Sequence, residues 1–356
     1  MNRVASKKAN WKKLEQFVSL AFRKAGLPGR DAELAAKILV DADLRGIDSH
    51  GVMNLSGYVG EIRDGAINPN PRMKAINGSP TTVSMNGDNG LGLLVSYRAM
   101  EESMKMARSM GSGWVTVCNS NHSGAGAYYV LMAAKENMIG IHSSSGGSTV
   151  AAPGGKRRLI GNNVIAFAAP AGKHGPFVLD MAPTMAIANK LHKLQWEGKS
   201  MPAGWAIDSE GRPVTDPNVY FGQEGAILPL GSTAANGVHK GFGLLLVSDI
   251  LTGLLSGDGG SMLRKKGKHT HVFCALRIDG FPTADRFTDL MDEMIEKLHA
   301  TPTVEGMSPI RYPGERGNQT YRERSAKGIP LRQEIVDDLR KMGKDLNLPL
   351  DEIWER

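Results

Sequence analysis

The stretch Arg45-Gly46-Ile47-Asp48-Ser49-His50-Gly51-Val52 sets a serine and a histidine between two glycines, where the backbone is freest. An imidazole there exchanges a proton near neutral pH, and the adjacent hydroxyl can orient its ring or a ligand. Upstream, Ala32, Ala35, Ile38, Leu39 and Ala42 mark one face of a helix predicted over 31–44, which delivers Ser49 and His50 at its C-terminal end. Before it, Trp11, Leu14, Phe17, Val18, Ala21 and Phe22 predict a first helix, ended by Gly26-Leu27-Pro28-Gly29. A third apolar-periodic segment covers 55–62. The prolines and glycine of 64–71 break any regular element. Residues 1–78 therefore read as an N-terminal helical domain.

From residue 79 helices and β-rich runs alternate. Leu93, Tyr97, Met100, Met104, Ala107 and Met110 share one helix face, with the methionines as core filler. A buried strand over 114–118 leads into the polar loop Asn119-Ser120-Asn121-His122-Ser123-Gly124-Ala125-Gly126 and a helix over 127–137. A histidine at a strand-to-helix junction is where α/β folds expose chemistry. Strands follow over 139–142, 164–169 and 177–181. The last ends in Asp180-Met181-Ala182-Pro183-Thr184 before a helix over 185–191. Asp180 reads either as the cap of that helix or as a partner for a ribose hydroxyl. Residues 202–217 read as a hairpin excursion.

Gly237-Val238-His239-Lys240-Gly241-Phe242-Gly243 opens an apolar helix over 244–255. It reads either as an anion site of backbone amides beside Lys240 or as a plain glycine-rich helix start. A strand over 271–278, a helix over 284–299, a loop over 311–316 and a helix over 330–346 complete the chain.

With 356 residues, 41% hydrophobic and 22% charged, the composition is that of a globular protein of one to three domains. Net charge is +7, gathered in 3–13, 156–158 and 264–271. These runs read as solvated loops or as attractors of an anionic cofactor or substrate. No nucleic-acid-binding pattern accompanies them. Cys118 and Cys274 form neither a metal-ligand spacing nor a disulfide framework and read as free buried thiols. The N-terminus lacks a secretory apolar core and no run is long enough to span a membrane, so the expected location is the cytoplasm.

The dinucleotide fingerprint of three spaced glycines is absent. Gly111–Gly113, Gly124–Gly126 and Gly241–Gly243 each lack the third. A nicotinamide bound here would sit on a fold other than a standard Rossmann one. Phosphate-loop, zinc-protease and nucleophile-elbow motifs are also missing.

Four segments in register carry a resemblance. Arg45 to Val52, Asn119 to Ala125, Asp180-Met181-Ala182 and His239-Lys240-Gly241-Phe242-Gly243-Leu244 closely resemble the type-2 malate/L-lactate dehydrogenase family. That family also holds L-sulfolactate and ureidoglycolate dehydrogenases, diketogulonate reductase and a cyclic-imine reductase. The similarity runs from the first helix to Pro313-Gly314-Glu315. It implies an α/β (α+β) fold with a non-Rossmann mixed β-sheet nucleotide-binding domain over 79–303. The implied helical domain is built from the N-terminal segment and from 304–356, which packs back on it.

The resemblance further implies a homodimer that uses NAD or NADP on a small carboxylate substrate, moving a hydride between nicotinamide and a 2-hydroxy or 2-oxo acid. Carried over by position, His50 matches the proton donor and acceptor, with Ser49 beside it. His122 matches the second active-site histidine, itself the acid/base in some members. Asp180, Met181 and Ala182 match a nucleotide-contacting segment, and Lys240 the lysine near the cofactor phosphates. Ser145, Pro313, Gly314 and Glu315 match further cofactor contacts, and no metal is implied. The alternatives are reduction of a cyclic imino acid at the same site and a non-catalytic nucleotide-binding member.

Three departures bear on specificity. Asn54 stands where many members carry an arginine expected to grip the substrate carboxylate, so malate or lactate is not assumed. Gly161-Asn162-Asn163-Val164 replaces a common Gly-x-Asn-Pro, and Asp180-Met181-Ala182-Pro183-Thr184 a common Asp-x-Ala-Thr-Ser. Both leave NAD against NADP open.

Overall fold

A computed structural model describes residues 7–263, 268–348 and 350–354, so the basic segment 264–267 and Arg3 lie outside the described residues. β1 (Lys7–Ala9) precedes α1 (Trp11–Ala25). Asn10 caps α1, its Oδ1 accepting the Lys12 and Lys13 amides at 3.1 and 3.2 Å, and Gly26 closes the helix at φ 115°. α2 (Gly29–Leu44) buries Ala32, Ala35, Ile38 and Leu39 and packs on α1. Two 3₁₀ turns, Asp48–His50 and Val52–Asn54, then lead into α3 (Leu55–Arg63).

Residues 74–78, expected within the helical unit, belong instead to a hairpin of β2 (Lys74–Ser79) and β3 (Thr82–Asn86). Every residue of β2 is exposed, so no alternating apolar pattern marks it in the sequence. α4 (Gly92–Met110), β4 (Ser112–Ser120), α5 (Ala127–Ala134) and β5 (Met138–Ser145) follow at their expected places. Next come β6 (Val150–Ala151), β7 (Arg158–Ile160), β8 (Val164–Ala169) and β9 (Phe177–Met181).

α6 (Ala188–Trp196) starts later than the expected residue 185, because Thr184 is held in a bridge to Pro229 and the Met185 amide donates to Leu228. β10 (Ala206–Ile207) and β11 (Pro213–Val214) make the expected hairpin, followed by α7 (Pro217–Gly222) and β12 (Ala226–Ile227). α8 (Val238–Asp249) begins earlier than expected, and its end widens into a π-helical turn, Ile250–Leu254. After α9 (Gly260–Leu263) come β13 (His269–Arg277) and α10 (Ala284–Ala300).

The chain ends in α11 (Glu315–Lys327), β14 (Ile329–Leu331) and α12 (Gln333–Asp345). α11 escapes sequence reading because it buries none of its residues and so has no apolar stripe. The helix expected from residue 330 starts at 333, since 329–331 pair antiparallel with β1.

A seven-stranded sheet runs in the order β2-β3-β4-β13-β5-β8-β9. Only β3 and β4 are parallel in it. This mixed sheet, lacking repeated parallel crossovers, accords with the missing glycine fingerprint. A five-stranded sheet, β11-β10-β12-β6-β7, forms apart from it. One apolar core joins Leu14, Phe22 and Leu39 of the terminal helices to Val115, Tyr129 and Phe273 of the large sheet. A second, smaller core gathers Val150, Ile160, Leu191, Tyr220 and Leu245 around the small sheet. α11 packs on α2 and α12 on α3, so the C-terminal segment returns to the helices that carry the Ser49–His50 turn. No described helix is long and apolar enough to cross a membrane.

Candidate active site

The Ser49–His50 turn is held from several sides. Asp43, 2% exposed on α2, accepts the Val52 amide on Oδ2 at 2.8 Å. Burial pushes its carboxyl up to about 8, against the opposing pull of that amide. A Cβ at residue 51 would lie 2.1 Å from Asp43 Oδ1, so only glycine lets the turn close over the carboxyl. The Arg324 guanidinium of α11 donates to the Asp43 carbonyl and to the Asp48 carboxylate. Asn54 Nδ2 donates to the carbonyls of Ser49 and Gly51 at 3.0 and 3.2 Å, and Asn189 Nδ2 to Ser49 at 2.8 Å. Asn54 is thus a brace of the turn, with no charge for a substrate.

Within this frame Ser49 Oγ lies 2.9 Å from His50 Nδ1. The His50 ring stacks on His122, centroids 5.6 Å apart. The chain therefore brings together two histidines 72 positions apart in sequence. His122 is delivered by the polar loop after β4, and its Nδ1 lies 2.6 Å from the Tyr58 hydroxyl of α3. Burial pushes His50 down to about 4. It also lowers His122, with His50 and His269 adding to the effect, and it raises the Tyr58 phenol. The phenol keeps its proton, so it can donate a hydrogen bond to Nδ1 and leave His122 in the Nε2–H tautomer. Two neutral imidazoles result, one able to accept a proton and one presenting an N–H.

Sequence reading passed over Tyr58, because its helical spacing places it with the core residues of α3. It also passed over His269, whose ring meets His122 edge-on at 5.9 Å. The row continues through His271 and His142, with centroids 6.3 and 6.0 Å apart.

The expected cofactor residues fall into two groups. In the first, side chains are committed inside the chain. Asp180 Oδ2 accepts the Ala127 amide at 2.8 Å, so it caps α5 and not the helix after it. Burial raises its carboxyl to about 6, against the Ala127 and Gly126 amides. Ser145 is fully buried and donates to Asp249 at 2.7 Å, in a network with Asn163 and Ser261. Glu315 Oε2 accepts the Tyr312 amide at 3.2 Å and lies 3.1 Å from His299 Nε2.

In the second group, backbone and one cation form a continuous ridge. The Val178 amide donates to Pro313 at 2.9 Å, placing Pro313 and Gly314 beside β9, which ends in Asp180 and Met181 and is followed by Ala182. Pro183 then accepts the Leu230 amide at 3.0 Å, and α8 sits directly on Leu230, where a Cβ at Gly241 would lie 2.3 Å from the Leu230 oxygen. Lys240, in the first turn of α8, is exposed and has no acidic partner among the described residues. A lysine beside helix-start amides suits a diphosphate, so this ridge fits a nicotinamide dinucleotide by charge and donor type. Ser145, Glu315 and the Asp180 carboxyl have other partners. Among the described residues no cluster of three or more histidine, cysteine or acidic side chains is placed to hold a metal ion, and Cys118 and Cys274 are free.

A family model described as malate/L-lactate dehydrogenase matches residues 9–340. The malate dehydrogenase of Pyrococcus horikoshii is 39% identical over 338 residues, covering 93% of each chain. The structure solved for malate dehydrogenase from that organism superposes with a TM-score of 0.89 at 36% identity, over 98% of this chain and 99% of that one. The L-sulfolactate dehydrogenase of Methanocaldococcus jannaschii is 32% identical over 343 residues, 94% of this chain and 95% of its own. Other relatives carry NAD(+) or NADP(+) in their names.

Proposed function

The chain belongs to the malate/L-lactate dehydrogenase family, and from that we propose that it interconverts a small 2-hydroxy acid and its 2-oxo acid with NAD or NADP. The stacked His50–His122 pair is the observation that carries this reading. A bound nicotinamide supplies the hydride acceptor in oxidation and the donor in reduction. His50 does the proton work. Its Nδ1 is engaged by the Ser49 hydroxyl, which leaves Nε2 to take the substrate hydroxyl proton in oxidation or to return it in reduction. His122, held by Tyr58 through Nδ1, offers its Nε2–H to the same oxygen and stabilises the charge that develops there. Lys240 and the ridge of Met181, Ala182 and Pro313 hold the nucleotide, and Asp180 fixes the start of α5 beneath it.

Thermal unfolding with NADH and NADPH at matched concentration tests the cofactor. A nucleotide at 100 times its dissociation constant adds about 2.7 kcal/mol. We expect one of the two to raise the midpoint clearly more than the other. No shift with either, on folded protein, overturns the dehydrogenase reading.

We also propose a homodimer built on α8. Leu244 and Val247 of α8, Ile250 and Leu254 of the π-helical turn that continues it, and the adjoining Leu255 are 43–59% exposed. So long an apolar stripe on an outer helix supports an interface between copies. Val247→Asp combined with Ile250→Asp should convert a dimer to a monomer in size-exclusion chromatography with light scattering. A dimer that survives the pair places the contact elsewhere.

A further inference from the structure

His122 stands on a stretch of loop, 121–125, that belongs to no helix or strand. The Tyr58 hydroxyl fixes its Nδ1 at 2.6 Å, but one hydrogen bond leaves the ring able to swing about the bonded atom. The aim of Nε2–H is then set by what meets the ring's faces and edge. Tyr58 and His50 lie roughly parallel to it, at interplanar angles of 25° and 26°. His50 gains and loses charge each time a proton passes, so that contact alters within the catalytic cycle. The His269 ring, at 75° to His122 with centroids 5.9 Å apart, takes no part in the proton transfer. An edge-to-face pair at this separation is a favourable arrangement of ring quadrupoles and resists rotation of either ring.

His269 is itself built in. His271 pairs with Val117 and His269 with Ser120, so β4 carries one residue more than β13 between the two pairs. Asn119 lies within this bulge at φ 51°. Bulges beside active sites re-aim a side chain, and this one leaves His269 facing the loop after β4. The ring also lies against Gly146, where a Cβ would come within 2.7 Å of His269 Cε1. His271 stacks on it at 6.3 Å and 22°. His271 is in turn pinned by the Ser144 and Ser120 hydroxyls, each at 3.0 Å, and by the Asn121 carbonyl at 3.1 Å. The three rings form a column rooted in the large sheet, with His122 at the end that meets His50.

We propose that His269 is a positioning residue of the reaction, its ring holding His122 so that Nε2–H faces the substrate oxygen. This rests on the dehydrogenase reading above. In this role His269 acts through His122 alone. Its contribution is orientation, which is realised in turnover rather than in binding.

The test follows His122 directly and turnover separately. In the full chain with nitrogen-15 in its histidines, the NMR spectrum should show two well-separated ring-nitrogen resonances for His122, the signature of one tautomer. Their loss in His122→Gln assigns them. His269→Leu, which keeps bulk and removes the ring, should draw the two together as His122 leaves Tyr58 and its tautomers exchange. His269→Phe, which restores an aromatic ring, should separate them again. In reduction of oxaloacetate with the preferred nucleotide, His269→Leu should lower kcat about tenfold and change KM less than twofold. His269→Phe should recover most of that loss. Gly146→Ala drives a methyl against the His269 ring and should act in the same direction, which keeps the test open should His269→Leu not fold.

His122 resonances that stay put in both His269→Leu and Gly146→Ala overturn the proposal. So does a His269→Phe variant as impaired as His269→Leu, because the ring nitrogens would then be what matters. Moved resonances in a chain that neither binds a nicotinamide nucleotide nor turns over a 2-oxo acid keep the positioning of His122 and remove the dehydrogenase reading. Turnover with kcat untouched in both variants keeps that reading and removes the positioning.

Discussion

His50→Gln should lower kcat for both oxidation and reduction by about 10²–10⁴-fold, the usual contribution of a positioned acid–base group, while nucleotide binding persists. Glutamine keeps the size and one hydrogen bond of the imidazole but cannot carry the proton. The pH dependence of the parent enzyme sharpens the test. Burial holds His50 near 4, well below the ordinary histidine value of 6.5, so the ring stays neutral as pH falls through 6. Oxidation needs the neutral ring, and its acid limb should therefore lie well below 6.5. Reduction needs the proton-bearing ring and should accelerate as pH is lowered over the same range. His122→Gln should cost less in proton transfer, and its partner change Tyr58→Phe should act in the same direction by releasing the tautomer. If His50→Gln turns over normally and His122→Gln does not, the two roles are exchanged.

The second large effect concerns the frame of the turn. Gly51→Ala places a methyl 2.1–2.3 Å from the three heavy atoms of the Asp43 carboxyl, which is buried and already bonded to the Val52 amide. Overpacking in a closed interior costs about 1–3 kcal/mol. Relief of the contact moves the turn, and with it His50. A misplacement of about 1 Å at a catalytic group is worth about 10²-fold in rate. We therefore expect Gly51→Ala to be both destabilised in thermal unfolding and at least that much slower. Gly57→Ala on α3 is the matched control, because a methyl there meets nothing within 4 Å. Equal behaviour of the two variants would show that the turn has slack the close contact denies. Asp43→Asn, which keeps an acceptor for Val52, should be milder than Gly51→Ala in both measurements.

Much of this architecture is written locally. α1, α2 and α4 bury one face each, so their apolar spacing is a direct trace of their packing, and the missing glycine fingerprint is the trace of a sheet with a single parallel pair. The exposed β2 and the largely polar α11, which buries no residue, leave no such trace, since what orders them is pairing and docking with distant chain. The site divides in the same way. Ser49 and His50 are neighbours and can be read together. Tyr58 looks like one more buried residue of an amphipathic helix until His122 arrives against it from another element. Asp180 looks like the cap of the helix that follows it, and only the tertiary fold offers it the start of α5. Ser145 and Asp249 are likewise 104 residues apart when they bond. Spacing reports which residues share a face of one element; it carries no information on which side chains have been spoken for by another.

The pairing of β1 with β14, and the reach of Arg324 across 281 residues to Asp43, also set a timetable for synthesis. Domains tend to fold as their chain emerges from the ribosome, N-terminal parts first. Here His50 lies within the first 50 residues of this sequence, yet the helix that clamps its turn and the strand that pairs with β1 come only after residue 314. A nascent chain can assemble the large sheet, which is complete by Arg277, while His50 remains unclamped. The frame around His50 is therefore complete only once residues 315–331 have been made and have met β1 and α2.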